Sequence, residues 1–496
     1  MTQRQLQLQE QEQEWEQGQK QLPLDPRTNA EKTRGQTQTQ THTSMSSGSI
    51  KSRALNECQI PLLVGKLESH LPYSIPLLRR IQFHLQRERA STTTRIFVAA
   101  VHCGSVGDRE GRLSPDEHEH EVDDDDDPWG DLDAWFLDNQ SVENPWIAAH
   151  IDLVNAGQTQ VWVYGSWEAA TLSSSAAGNE APSVTADADP AHTRLLHALF
   201  TYLSRELIPS LPTDPPEEWL ALGRAGKYLS RPYSRDKVLF GTVSDKLWSL
   251  FPEKARTRTD AGYWKYLFGG PASSNPPLLP PSSLQSPSLI SVPLPLPLPL
   301  PPGYRFGPML DPDLQTVLDR SPIPRTLSTL RQLVSVGVFH EESESTNTST
   351  RPAPVGWGFL GKDASLSSLH TEVEHRGKGL AVALGAELLR RHQQQQLEQL
   401  EQQCVEVAVD SHGDENRAGP VGGGDAAAEE NSNNNNNRAR AAKTTATSWW
   451  GHADVSQHNF ASRRVMEKLD GRPAWMVMWT EVDMRVLLAL DLEEGS

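Results

Sequence analysis

The chain has 496 residues, a formal net charge of −18 and an apolar fraction of only 36%. That length allows two to four domains, and the low apolar content leaves a good part of the chain unfolded. The acidic balance argues against nucleic acid as a main partner, and the lack of any eighteen-residue apolar run argues against a membrane span. The polar start reads as carrying no secretory signal. Cys58, Cys103 and Cys404 have neither metal nor redox spacing and suit a reducing compartment, the cytoplasm or the nucleus.

Residues 1–50 are rich in Gln, Glu, Thr and Ser and read as a disordered tail, with a short helix near Leu6–Trp15 as the alternative. An amino-terminal α/β domain follows over 51–270. Its first helix runs through Pro72–Leu85, with Ser74 at the N-cap, Pro76 in the first turn and Leu77, Leu78, Ile81 and Leu85 on one side. Ile96–Val101 is a strand. An acidic insert over 114–134 contains His118, Glu119, His120 and Glu121; a cation site and a solvated charged loop both fit it, and the loop is the reading adopted. Trp146–Val154 and Gln160–Trp167 pair as a hairpin across Asn155, Ala156 and Gly157. Residues 168–190 form a polar loop, Leu195–Leu207 a helix and Val238–Val243 a strand, and Trp264–Phe268 closes the domain.

Residues 271–302 end in Leu-Pro repeats and read as an extended polyproline spacer, a ligand for proline-reading domains being the alternative. The second domain spans 303–490. Ile323–Leu333 reads as a helix, and Val334–Phe339 and Val355–Leu360 as strands. Residues 393–447 carry runs of Gln and Asn and read as a low-complexity, disordered insert. Ala474–Met484 is a final strand, apolar on both sides and therefore buried in a sheet.

The stretch Ser365–Arg391 organises the second domain. Residues 366–373 alternate, with Leu369, Thr371 and Val373 on one face and Ser368, His370 and Glu372 on the other. Leu380, Leu384 and Leu388 then recur every fourth residue, an apolar helix stripe. Between them lie Arg376, Gly377, Lys378, Gly379, Leu380 and Ala381. Strand, glycine turn and helix make an anion site. The helix start exposes unpaired N–H groups and partial positive charge, the glycines let a phosphate approach, and Arg376 and Lys378 add charge. A pyrophosphate is the natural ligand.

This stretch resembles motif A of the GCN5-related N-acetyltransferase (GNAT) superfamily: Arg or Gln, two residues, Gly, one residue, then Gly or Ala. Arg376, Gly379 and Ala381 match it. Trp449–Leu469 resembles the next strand and helix of that fold, with Asn459 opening the helix and Ser462 three residues on. The resemblance is closer to the glycine N-acyltransferase-like, or FR47-like, branch. It covers roughly Gly303–Met484, and the first domain resembles that branch's degenerate amino-terminal half. The fold implied is α/β (α+β mixed), of the GNAT type. A bulge in it splays the strand carrying Leu369–Val373 from the following one, freeing backbone groups for pantetheine and for the thioester carbonyl.

The resemblance implies an N-acyltransferase without metal. Acetyl-CoA or another acyl-CoA would be the donor, and a small-molecule or peptide amine would attack it directly. Such a reaction needs a held thioester, a deprotonated amine and a stabilised thiolate. Leu369, Thr371, Val373, the turn from Arg376 to Ala381 and Asn459 would hold the donor. Glu374, two residues before Arg376, is the first choice of base and Glu372 the second. Many members place an acidic tyrosine seven residues after the helix Asn; here Met466 stands there, leaving Ser462 or solvent to protonate the thiolate. The alternative is a catalytically silent CoA-binding module. Phosphate-loop, zinc-helix and nucleophile-elbow patterns are absent from the sequence.

Overall fold

A computed structural model describes residues 49–89, 91–102, 144–169, 189–260, 262–270, 298–341, 351–413 and 449–494. Almost all of the tail, the acidic insert, most of the 168–190 loop, most of the proline-rich stretch and residues 414–447 lie outside these segments.

The amino-terminal half runs β1 (Ser49–Ala54), α1 (Ile60–Ser69), α2 (Ile75–Phe83), β2 (Arg95–His102), β3 (Trp146–Ile151), β4 (Val161–Gly165), α3 (Pro190–Tyr202), α4 (Glu217–Arg224), β5 (Lys237–Ser244), α5 (Asp245–Trp248), β6 (Arg256–Thr259) and β7 (Tyr263–Gly269). The other half runs β8 (Tyr304–Gly307), α6 (Asp311–Arg320), α7 (Leu327–Gln332), β9 (Ser335–His340), β10 (Pro354–Leu360), β11 (Leu366–Thr371), α8 (Leu380–Gly413), β12 (Trp450–Ser456), α9 (Phe460–Lys468), β13 (Arg472–Asp483) and α10 (Met484–Glu494). The architecture is mixed α/β, as the sequence leads one to expect.

Several local expectations change. Ser49–Ala54, not expected as a strand, forms the polar strand β1 and pairs along its length with β2; an edge strand solvated on one side carries little apolar signal. The helix expected over 323–333 is only α7, since Pro322 and Pro324 precede it and the Thr326 hydroxyl caps it by accepting from the Thr329 amide at 3.2 Å. β11 ends at Thr371, so Val373 lies in a short 3₁₀ turn, Val373–His375, and is 64% exposed. The insert expected from Gln393 begins later, because α8 continues to Gly413 with His392 and Gln393 buried. Glutamines are good helix formers, and composition alone hid this.

The strands form two sheets. One runs β1-β2-β3-β4-β5-β13-β7-β12, with β6 also on β13; the other runs β11-β10-β9-β8. The expected hairpin is β3 against β4, antiparallel, with Ile151 opposite Val161. The final strand β13 enters between β5 and β7, placing Met478 opposite Val243 and Met476 opposite Trp264. β7 in turn pairs with β12, Lys265 opposite Asp454. The larger sheet therefore takes β12 and β13 from the carboxyl-terminal half and does not break at residue 270.

The cores also mix the two halves. Val482, Met484 and Leu487 pack with Phe97, Leu199 and Phe240 of the amino-terminal half. Tyr266 and Phe268 of β7 pack with Leu380, Leu384, Leu388 and Met466. The described residues, from Ser49 on, form one compact unit.

Candidate functional site

The gap between β11 and β12 is where the site is built. Ser365 and His452 form an isolated parallel bridge; beyond it, among the described residues, the two strands do not pair. β11 stays on β10, but its register slips. His370 faces Trp357 and Ser367 faces Phe359, so Ser368 and Leu369 together oppose Gly358. Ser368 takes a φ of 51°, the left-handed conformation of a bulged residue. The extra residue turns Leu369 onto the α8 side, where it meets Leu388 across Gly358. His370 goes to the opposite face and stacks on Trp357, with ring centroids 4.3 Å apart. Trp357 itself packs with Leu314, Val317 and Leu330 of α6 and α7.

At the end of β11 the chain turns into α8 through Gly377 and Gly379, with φ of 76° and 82°. Only glycine takes such angles without cost. Nothing lies within 4 Å of where a Cβ would stand at either position. The Gly379 carbonyl accepts from the Val382 and Ala383 amides at 3.1 Å each, which starts the helix. Among the described residues the amides of Gly377, Lys378, Gly379, Leu380 and Ala381 donate to no protein acceptor. Leu380 is buried and anchors this end of α8 in the core. Open space, unpaired amides and the helix dipole thus coincide.

The basic side chains of the turn are already engaged. The Arg376 Nε donates to the Thr371 carbonyl at 3.0 Å, and the Lys378 Nζ donates to the Tyr304 hydroxyl at 2.8 Å. Tyr304 also meets His375 Nδ1 at 2.9 Å. Both cations are held beside the amides rather than swinging free. Tyr304 is distant in sequence, and nothing in the local motif announces it.

Glu374 and Glu372 separate. Glu374 is exposed in the 3₁₀ turn. Glu372 is half-buried; its Oε1 accepts from Arg320 Nε at 3.1 Å, and its Oε2 lies 3.7 Å from His370 Nε2. Burial lowers the His370 pKa below its usual value, outweighing the Glu372 charge that raises it. The Thr371 hydroxyl is buried without a partner. Across the gap, Asn459 caps α9 by accepting from the Ser462 amide at 3.0 Å. Met466, at the position of the family's tyrosine, is buried in the core. The structure therefore gathers His370, Glu372, Thr371 and the turn at one strand end. It leaves Glu374 and Val373 facing solvent.

Residues 47–266 match the family described as the acyl-CoA N-acyltransferase verG N-terminal domain. That match covers the amino-terminal part of the chain. Among solved structures it is similar to a Drosophila protein, at 11% identity over 87% of this chain and 98% of that one, with a TM-score of 0.39. A tandem GNAT protein from the clavulanic acid biosynthesis pathway is similar at 12% identity, over 87% and 98% of the two chains, with a TM-score of 0.34. A GCN5-related N-acetyltransferase from Sphaerobacter thermophilus is similar at 10% identity, over 88% and 96%, with a TM-score of 0.35. No curated protein matches.

Two other clusters among the described residues have ligand-type side chains. Each is already neutralised by a protein cation. Glu88, beside His84 and His150, bonds Arg80 at 2.6 Å and Lys362 at 2.8 Å. Asp454, beside His452 and Asp363, bonds the buried Lys265 ammonium at 2.7 Å. Added positive charge would be repelled in either place. No helix among the described residues is long and apolar enough to cross a membrane.

Proposed function

We propose that the chain is an N-acyltransferase that moves an acyl group from acetyl-CoA or another acyl-CoA to a small-molecule or peptide amine by direct attack. The observation that carries this reading is the turn from Gly377 to Ala381. Its amides have no protein acceptor among the described residues, and there is room at Gly377 and Gly379, at the end of β11 beside the gap that separates that strand from β12. The amides suit a pyrophosphate, and Lys378 and Arg376 add charge beside it. The unpaired edge of β11 beyond Ser365 offers backbone groups to pantetheine and to the thioester carbonyl. Asn459, already used as a cap through its carbonyl oxygen, retains its side-chain amide for the same arm.

At the position where the resembling family carries its tyrosine stands Met466, which has no proton to give the departing thiolate. Ser462 is a weak donor, so solvent supplies that proton in this reading. The test is thioester consumption from acetyl-CoA over a panel of amines, together with acetyl-CoA binding. Binding with amine-dependent release of CoA thiol is the expected result. Binding with no turnover on any amine would mark a silent CoA-binding module instead, and no binding at all would remove both readings.

A further inference from the structure

We propose that His370, oriented by Glu372, is the group that takes the proton from the acceptor amine; the proposal rests on the acyl-transfer reading above. The bulge at Ser368 decides the matter, because it turns His370 away from α8 and onto the face lined by Trp357, α6 and α7. Trp357 stacks against the imidazole with 17° between the ring planes, which fixes its rotation. Its Nε2 is buried and forms no hydrogen bond in this state, yet stands 3.7 Å from a Glu372 oxygen. Glu372 is itself held by Arg320 from α6. Nδ1 carries no hydrogen bond among the described residues and is left free to accept.

This is the arrangement a general base needs. The carboxylate favours the tautomer with hydrogen on Nε2, and it stabilises the imidazolium once Nδ1 has taken a proton. The charged groups around the ring are Glu372 just past the end of its strand, Arg376 from the turn and Arg320 from α6. Burial keeps the ring neutral near pH 7, so it can accept. Glu374 has no comparable setting: it is exposed and has no ion-pair partner among the described residues.

The step balances without any further reactant. The bound ammonium gives one proton to Nδ1, and the freed nitrogen lone pair attacks the thioester carbonyl. The N–C bond forms and the C–S bond breaks. The second proton of the attacking nitrogen ends on the thiolate sulfur through solvent, and His370 returns its own proton to water. The products are the amide, CoA thiol and one proton.

The full chain with His370→Gln, Glu372→Gln and Glu374→Gln tests this. Acetyl-CoA is the donor; the acceptors are a strongly basic alkylamine and hydroxylamine, which is already neutral at pH 7. His370→Gln is expected to lower kcat/KM for the alkylamine by about 100-fold or more, while its acetyl-CoA affinity stays at the wild-type value. Its rate should rise with pH without a plateau, and hydroxylamine should be affected far less. Glu372→Gln should shift the wild-type inflection to lower pH, and a Glu374→Gln protein that instead shows the alkylamine-specific loss and missing plateau would overturn the assignment to His370. A His370→Gln protein with wild-type rate and pH profile would overturn the base assignment and leave the acyltransferase reading standing. Equal losses with both acceptors would assign His370 to packing, which also overturns it. A wild-type chain that transfers to no amine would sink the underlying reading and this one with it.

Discussion

Ser365 pairs with His452, and this bridge is where β11 and β12 meet before they part. His452 donates from Nε2 to the Asp363 carbonyl at 2.8 Å, and its Nδ1 lies 3.3 Å from the Lys265 ammonium. Lys265 also holds Asp454 at 2.7 Å and donates to the Thr242 hydroxyl at 2.8 Å. A buried polar network thus sits at the base of the gap and ties β5, β7 and β12 together.

Lys265→Ala should be severely destabilising. It leaves the nearly buried Asp454 carboxylate without its cation, a loss on the order of 3–5 kcal/mol for a broken buried pair. The double change Lys265→Met with Asp454→Leu should recover much of that loss, because neither charge then remains unpaired. Urea unfolding of the three proteins measures it; a double variant no better than the single would show that the network contributes more than charge balance.

Residues 303–496 alone should fail to fold. Both motifs of the donor site lie in that segment, so the sequence invites the expectation that it binds CoA by itself. The sheet says otherwise, since β12 would lose β7 and β13 would lose both β5 and β7. Exposed strand edges and a core lacking Tyr266 and Phe268 favour aggregation. Circular dichroism and light scattering on 303–496 beside 48–496 check this, and a monodisperse, cooperatively melting 303–496 would refute it.

Replacing 393–447 by a short linker should destabilise the protein, whereas replacing only 414–447 should be tolerated. Gln393 is buried, and Gln396 accepts from Arg79 of α2 at 2.7 Å. Loop length itself carries a small closure term. Melting temperatures of the two replacements distinguish them; equal values would contradict the role given to the α8 extension.

Stability should fall as pH drops from 7 toward 4.5. His452 is buried and neutral, its pKa pushed down to about 4 by burial and by Lys265. An unfolded histidine titrates near 6.5, so the unfolded state takes up the proton first. The stabilisation is complete above pH 6.5 and lost as pH falls toward 4, roughly 3 kcal/mol in all. Burial lowers His150 and His392 in the same direction. Glu168 opposes them: burial raises its carboxyl to about 7, so its contribution is complete below about 4.5 and is lost as pH rises toward 7. Glu168→Gln should therefore steepen the acid loss, read as the urea midpoint against pH; an unchanged slope would contradict this assignment.

Much of the fold was legible because periodicity carried it. The glycine turn, the stripe Leu380, Leu384 and Leu388, the β3–β4 hairpin and the Asn459 cap all follow from local spacing. The pairing of β7 with β12 and β13 was not legible, because strand partners far apart in sequence leave no local mark. His370 was visible beside Glu372, yet what distinguishes it comes from a bulge at Ser368, a residue type with no bulge signature. Arg320, Trp357 and Tyr304 reach the site only through tertiary packing.

Acetyl-CoA affinity of the Gly379→Asp protein, measured by isothermal titration of the full chain, tests the central claim most directly. Position 379 has open space for a side chain, and its left-handed backbone makes the substitution cost about 1–2 kcal/mol of strain. The variant should therefore remain folded, as its melting curve will report. The account predicts acetyl-CoA binding by the wild type that is abolished in Gly379→Asp and only weakened in Arg376→Ala. A folded Gly379→Asp protein that binds acetyl-CoA as the wild type does would contradict the donor site and, with it, the acyltransferase reading.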